Sequence, residues 1–158
     1  MSESIAARVA ELGLTLPPAP SPSANYVPFV ITGNLLYVSG QLPLRDGEAQ
    51  HVGKIGDGLT IDDGYASARL CALNVVAQVG AALGDRLDRV KRCVNVTVYV
   101  NAKPDFAEHP RVANGASDLF VEVFGDRGRH TRTTIGMGSL PRVSATEVQA
   151  VFEVDPGR

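Results

Sequence analysis

The chain has 158 residues, of which 44% are hydrophobic and 20% are charged, and its formal net charge is −2 at pH 7. A chain of this length and composition is predicted to form one globular domain with a sizeable core. The acidic balance and the absence of a basic stripe give no support for nucleic-acid binding. No apolar run approaches the length of a membrane span, and the N-terminus lacks the pattern of a secretory signal. We therefore expect a cytoplasmic protein without a membrane or nucleic-acid partner.

The first 24 residues are predicted to form an extension that precedes a main domain at 25–158. Residues 3–12 show the apolar spacing of a short helix, which Ser2 or Ser4 would cap and Gly13 would end. The proline-rich segment 16–23 predicts an extended tether. We expect Leu12, Leu14 and Leu16 to pack on the surface of the domain.

Two long helices and several strands are predicted in the main domain. Thr60 would cap the first helix, whose apolar residues recur at spacings of three and four up to Gly84. The second helix would run from 105 to 124, with its main body after Pro110. Strands are predicted at 26–31, 35–39, 52–55 (a short edge strand), 90–100, 131–138 and 145–154.

This order of elements predicts an α+β fold with one sheet and both helices on one face. In the strand at 90–100, Val94 is expected to face the same side as Val96, and Cys93 the same side as Asn95. Both sides are apolar, so the face without helices would need cover from another subunit. The last two strands are expected to pair antiparallel through a short connection.

The cysteines and histidines give no sign of a metal site. Cys71 and Cys93 lie in apolar periodic segments and are predicted to be buried free thiols rather than a disulfide. The histidines, His51, His109 and His130, are far apart, and neither residue type has metal-ligand spacing. We predict no metal and no cofactor.

Arg132 and Glu147 are the leading candidates for chemistry. Arginine grips a carboxylate through two parallel hydrogen bonds, and glutamate can act as a general base on water. Antiparallel pairing of the last two strands would bring both side chains to one pocket. The plainer alternatives are a surface arginine in an ion pair and an outward-facing charge on an alternating strand. The pKa of Glu147 would rise in an apolar pocket and fall beside Arg132.

Four blocks occur in a distinctive order. They are Asn25-Tyr26-Val27-Pro28, then Val38-Ser39-Gly40-Gln41-Leu42-Pro43, then Val98-Tyr99-Val100 with Asp105-Phe106, and finally Arg132, Gly138-Ser139-Leu140-Pro141 and Glu147. Together they resemble the RidA/YjgF family of enamine and imine deaminases, formerly described as endoribonuclease L-PSP, and its longer members with an N-terminal extension. The resemblance implies a chorismate-mutase-like fold, assembled as a homotrimer with sites at the subunit clefts.

The same resemblance implies a function and a set of site residues. The reaction would be hydrolysis of a 2-imino or enamine acid to a 2-keto acid and ammonia, typical of a 2-iminobutanoate/2-iminopropanoate deaminase. Arg132 would hold the carboxylate of a small metabolite, and Glu147 would orient or activate water. The supporting residues at the site would be Tyr26, Ser39, Gly40, Asn114 and Thr134.

Thr134 departs from the family pattern, because many deaminating members have a cysteine two residues after the arginine. This difference favours an alternative, in which the trimer binds a small metabolite without catalysis. Endoribonuclease activity is a weaker alternative, since the chain is acidic and lacks a histidine pair. Chorismate-mutase activity is weaker still, because a shared fold does not carry a function.

Overall fold

The computed structural model describes residues 3–157. Over these residues the fold is mixed α+β, with one five-stranded sheet, two small two-stranded ribbons and three α-helices. In chain order the elements are α1 (Ile5–Glu11), β1 (Phe29–Thr32), β2 (Leu35–Gln41), β3 (Leu44–Arg45), β4 (Glu48–Ala49), β5 (Lys54–Ile55), β6 (Gly58–Leu59), α2 (Ile61–Leu83), β7 (Val90–Asn101), α3 (His109–Phe124), β8 (Thr131–Met137) and β9 (Thr146–Val154).

The main sheet has the order β1-β2-β9-β7-β8. Strand β8 lies at one edge and pairs in parallel with β7, whereas β9 pairs antiparallel with both β2 and β7. The expected pairing of the last two strands with each other is therefore wrong. The reason is that α3 returns the chain to run parallel to β7, so the short connection after β8 must carry β9 to the other side of β7. The short strand predicted at 52–55 exists as β5, but it pairs with β6 outside the main sheet.

The two long helices pack on one face of the sheet, as the sequence predicted. Helix α2 lies over β2 and β9, and α3 lies over β7 and β8. Thr60 caps α2 through a reciprocal pair of hydrogen bonds with Asp63, and Gly84 ends the helix at a φ of 64°. Helix α3 begins at His109 with Pro110 in its first turn, where the missing N–H costs nothing.

Helix α2 is long and apolar enough, by length and composition alone, to cross a membrane, although the sequence was expected to contain no such run. Of its most apolar 18-residue window, 72% is buried inside the protein. It packs against the sheet on one side and α3 on another. Burial on several sides explains the high apolar content, which is that of a core helix.

The N-terminal extension is docked on the domain. Ser4 caps α1 by accepting a hydrogen bond from the backbone N–H of Ala7, while the other predicted cap, Ser2, lies outside the described residues. The leucines at 12, 14 and 16 pack partly buried against the core, which confirms the prediction for them. Gln78 of α2 also donates from Nε2 to the carbonyl oxygen of Pro20 at 2.7 Å.

Two irregularities in β7 change which residues face the core. The register with β9 shifts between Val90 and Arg92 and again between Cys93 and Asn95. Cys93 is consequently buried on the side of Val96, and Val94 is only half-buried, so the predicted faces of these two residues were wrong. Both cysteines are free and buried, as predicted.

Candidate functional site

Arg132 lies on the edge strand β8 and points toward α3. It is paired with Val96, a core residue, so its side chain is on the helix-covered face of the sheet. Its Nη1 donates to Oδ1 of Asn114 at 2.9 Å and to Oγ of Ser117 at 3.1 Å. These two partners are three residues apart on α3 and therefore lie on the same side of the helix.

The rest of the guanidinium of Arg132 is available. Within residues 3–157, its Nε and Nη2 atoms donate no hydrogen bond. An arginine presents these two nitrogens in parallel, at a spacing that matches both oxygens of a carboxylate. The arrangement is suited to binding a small anion at the edge of the sheet.

Glu147 lies on the opposite face of the sheet. It is paired with Tyr99 across β9 and β7, and Tyr99 points away from the helices. The side chain is half-buried, and burial raises the pKa of its carboxyl group above the ordinary 4.5. The sequence left open whether the pKa of Glu147 is raised or lowered, and in the described part of the chain it is raised. A carboxyl group with a raised pKa can exchange protons closer to neutral pH.

Gly40 makes room for the carboxylate of Glu147. A β-bulge at 39–40 interrupts the pairing of β2 with β9, and Gly40 in this bulge lies beside the end of Glu147. A Cβ at Gly40 would contact Oε1 of Glu147 and would lie only 2.9 Å from its Cδ. The absence of a side chain at position 40 is therefore a condition for the position of Glu147.

One chain does not bring Arg132 and Glu147 together. Strand β7 lies between theirs, and their partners on β7, Val96 and Tyr99, are three residues apart. Standard strand spacings then place their Cα atoms roughly 14 Å apart, with side chains on opposite faces. The expectation of one pocket within the chain is wrong, because it depended on the pairing of β8 with β9.

The other predicted site residues divide between these two places. Tyr26, Ser39 and Gly40 line a small cavity of about 70 Å³ near Glu147. Ser39 donates from Oγ to the carbonyl oxygen of Pro28 at 3.0 Å, which fixes the bulge against the segment that carries Tyr26. Asn114 and Thr134 lie on the side of Arg132, with Thr134 paired to Val98 on the helix-covered face.

A cavity of about 760 Å³ lies elsewhere. It is enclosed by residues 13–21 of the extension, the β3–β4 hairpin and α2, and none of the predicted site residues lines it. A site that needs a second copy of the chain would be an open surface in one copy, so cavity size does not locate it. In the described part of the chain, no group of three or more His, Cys, Asp or Glu side chains is arranged to hold a metal ion.

Comparison with known proteins identifies the family. The family model described as "YjgF/chorismate mutase-like, putative endoribonuclease" matches residues 6–153. The chain belongs to the RidA/YjgF family. It is 50% identical to Protein TCP17 of Trypanosoma cruzi over 152 residues, which cover 96% of this chain and 94% of that protein.

Solved structures agree with this assignment. The crystal structure of Atu1372 from Agrobacterium tumefaciens, a protein of unknown function, matches with a TM-score of 0.90 at 44% identity, covering 98% of this chain and 95% of that one. TdcF of E. coli, solved with bound serine, matches with a TM-score of 0.62 at 23% identity over 98% of each chain. The second likeness shows the RidA/YjgF fold alone.

Sequence reasoning missed two residues beside Arg132, namely Ser117 and His130. The RidA/YjgF resemblance pointed to Asn114 but not to Ser117, one helical turn later. His130 was considered only as a metal ligand. Two weak signals existed: Ser117 is polar on an otherwise apolar helix stripe, and His130 precedes Arg132 by two residues, which puts both on one side of an extended chain.

Proposed function

We propose that this RidA/YjgF protein hydrolyses reactive 2-imino or enamine acids to the 2-keto acid and ammonia. The observation that carries the proposal is the guanidinium of Arg132, which is held through Nη1 and leaves Nε and Nη2 for a substrate carboxylate. Two parallel charge-assisted hydrogen bonds orient a planar 2-imino acid as well as bind it. The C=N carbon, next to the carboxylate, would then have a fixed position.

Glu147 is the proposed base. Its carboxylate takes a proton from water as the oxygen attacks the carbon of the protonated C=N group, which gives a carbinolamine with a neutral amine. Glu147 then gives this proton to the amine nitrogen. The C–N bond breaks and ammonia leaves, while Glu147 takes the hydroxyl proton, passes it to solvent and leaves the water oxygen as the keto oxygen. The burial that raises the pKa of Glu147 suits this exchange. Imines hydrolyse readily in water, so positioning and proton transfer provide enough acceleration without a cofactor.

The two halves of the site are proposed to meet between subunits of a homotrimer. Arg132 and Glu147 lie on opposite faces of one chain, so a second copy must supply one of them. The face without helices supports self-association, because it exposes large apolar side chains. Val30 and Tyr37 are each 48% exposed, and Ile135 is 41% exposed. Glu147 and Tyr99 share this face, so its cover would also enclose the base.

A second candidate is a trimer that binds a small carboxylate metabolite without turnover. Thr134 favours it, because a threonine stands where many deaminating relatives have a cysteine. The hydroxyl lies on the same face of β8 as Arg132 and would alter the polarity of the pocket there. Arg132 would hold the metabolite in either case, so turnover and binding must be measured separately.

The direct test is release of ammonia and keto acid from 2-iminobutanoate and 2-iminopropanoate, generated in place by an amino-acid oxidase. The intact protein should accelerate release, and Arg132→Ala should lose most of the acceleration while its oligomeric state is unchanged. Arg129→Ala is a matched control, since Arg129 is exposed nearby in an ion pair with Asp126. An unchanged rate in Arg132→Ala would exclude the proposed role. Binding of 2-oxobutanoate without turnover by the intact protein would establish the second candidate instead.

A further inference from the structure

We propose that Ser117 and His130 are positioning residues for Arg132. They form a chain of hydrogen bonds that holds Nη1 of the guanidinium and so presents its other edge, Nε and Nη2, to a carboxylate. The carboxylate as ligand rests on the proposed function, whereas the chain of hydrogen bonds is a property of the fold and can be tested without turnover.

The direction of each hydrogen bond follows from chemistry. His130 Nδ1 lies 2.6 Å from the carbonyl oxygen of Gly128, and a carbonyl only accepts, so Nδ1 carries the proton. In a neutral imidazole, Nε2 is then the acceptor. It lies 2.9 Å from Oγ of Ser117, which donates its single proton to it. Oγ is thereby turned so that its lone pairs accept from Nη1 of Arg132 at 3.1 Å.

The surroundings of His130 favour the neutral ring that this scheme requires. The ring packs edge-on against Phe120, with centroids 5.9 Å apart and an angle of 89° between the planes. Burial lowers the pKa of His130, the hydrogen bond to the carbonyl oxygen of Gly128 opposes this, and the positive charge of Arg132 lowers the pKa again, so the net shift is downward. The ring is fixed on both sides, by Gly128 at one nitrogen and Ser117 at the other.

Two acceptors on Nη1 determine the orientation of the guanidinium. Nη1 carries two hydrogens, and Ser117 and Asn114 take one each. With both used, rotation about the Nε–Cζ bond would break two hydrogen bonds at once. The planar group is therefore held with the Nε–Nη2 edge outward, and less side-chain entropy is lost when a ligand binds.

Nuclear magnetic resonance of the intact protein tests the hydrogen-bond chain directly. At pH 7 the ¹⁵N shifts of His130 should show the Nδ1–H tautomer, and Arg132 should give separate Nη1 and Nη2 signals because its rotation is slow. In Ser117→Ala the two Nη signals should merge. The Nη signals are assigned to Arg132 by their absence from the spectrum of Arg132→Lys. An Nε2–H tautomer, or Nη signals that are unchanged in Ser117→Ala, would overturn the proposal.

Steady-state kinetics with 2-iminobutanoate tests the consequence for the ligand. Ser117→Ala should raise KM about tenfold with kcat nearly unchanged, because a lost positioning hydrogen bond to a charged group weakens binding in the ground and transition states alike. His130→Leu should behave in the same way. His130→Gln should recover most of the wild-type KM, since its amide oxygen can accept the proton of Ser117.

Asp118→Asn is the matched control, because Asp118 is the next residue on α3 and accepts a hydrogen bond from the hydroxyl of Tyr65 instead. Its KM should equal that of the wild type. A fall in kcat at constant KM, or a His130→Gln variant no better than His130→Leu, would contradict the positioning role. If the wild type shows no turnover, the proposed reaction fails, and the same comparison is made by calorimetric binding of 2-oxobutanoate. Equal affinities in wild type and Ser117→Ala would then overturn the inference.

Discussion

A methyl group added at Gly40 would occupy space that the carboxylate of Glu147 now fills. The new Cβ would lie 2.9 Å from Cδ and 3.2 Å from Cγ of Glu147, besides its contact with Oε1. Normal contact between such carbon atoms begins at about 3.5 Å. Gly40→Ala must therefore move the end of Glu147 by at least about 0.6 Å, because the backbone of the bulge is held by the hydrogen bond between Ser39 and Pro28.

The substitution should affect activity far more than stability. The displaced atoms form the end of a flexible side chain, so relief of the contact costs about 1 kcal/mol or less in rotamer energy. Gly40 does not have a positive φ, so alanine is tolerated by the backbone. Misplacement of a catalytic group by about 1 Å can reduce a rate about 100-fold. We expect a fall in kcat on the order of 10- to 100-fold in a folded protein.

The assay is release of ammonia and keto acid from 2-iminobutanoate, together with thermal unfolding of the same samples. Gly138→Ala is the control, because a Cβ there meets no atom within 4 Å and its φ is also not positive. It should retain wild-type kcat. A Gly40→Ala protein with full activity would show that the position of Glu147 does not matter and would refute its role as base. An unfolded Gly40→Ala protein would refute the argument that only a side-chain end must move.

Further predictions concern stability, pH and thiol reactivity. Gly115→Ala should lower the free energy of unfolding by about 1–3 kcal/mol, because its Cβ would press on the Tyr65 backbone of α2. Gly80→Ala has room for its Cβ and should raise the free energy of unfolding by about 0.5–1 kcal/mol. Urea unfolding would measure both changes. The pKa of Glu147 is higher in the folded protein than the ordinary 4.5 of the unfolded chain, so the folded protein binds this proton more tightly. The resulting contribution to stability is fully present below pH 4.5 and is lost as pH rises through the folded pKa. Glu147→Gln should therefore be more stable than wild type at pH 7 but not at pH 4 in the same assay, and the wild-type rate should rise with pH through that folded pKa. Cys71 and Cys93 are both buried, and burial raises the pKa of the Cys93 thiol to about 12. Because a buried thiol is neither accessible nor ionised, neither cysteine should react with an aromatic disulfide reagent until the protein unfolds.

Much of the local structure could be predicted from the sequence, since its determinants are local. Thr60 and Gly84 mark the ends of α2 because a capping hydroxyl and a residue that accepts positive φ act within a few residues of chain. The apolar spacing placed α2 and α3 on the core for the same reason. Errors arose where neighbouring strands set the geometry. The bulges of β7 turned Cys93 toward the core, and no residue type within β7 predicts such a shift in register.

The candidate site shows the same division. Arg132 and Glu147 could be singled out from residue type, spacing and family resemblance. Their separation could not, because it depends on β9 inserting between β2 and β7, and strand order is decided by contacts between distant segments. Likewise, Ser117 and His130 are thirteen residues apart and meet only because α3 packs on β8.

The sequence by itself determined the family, the succession of helices and strands, the free cysteines and the residues with chemical potential. Each of these depends on residue identity or on periodicity within one segment. Only the tertiary structure decided that Arg132 faces α3, that Glu147 lies beside Gly40 on the other face, and that a single chain holds two separate halves of the candidate site. Side-chain direction in a sheet alternates with every residue, so a change in strand order or a single bulge reassigns the face on which a side chain acts.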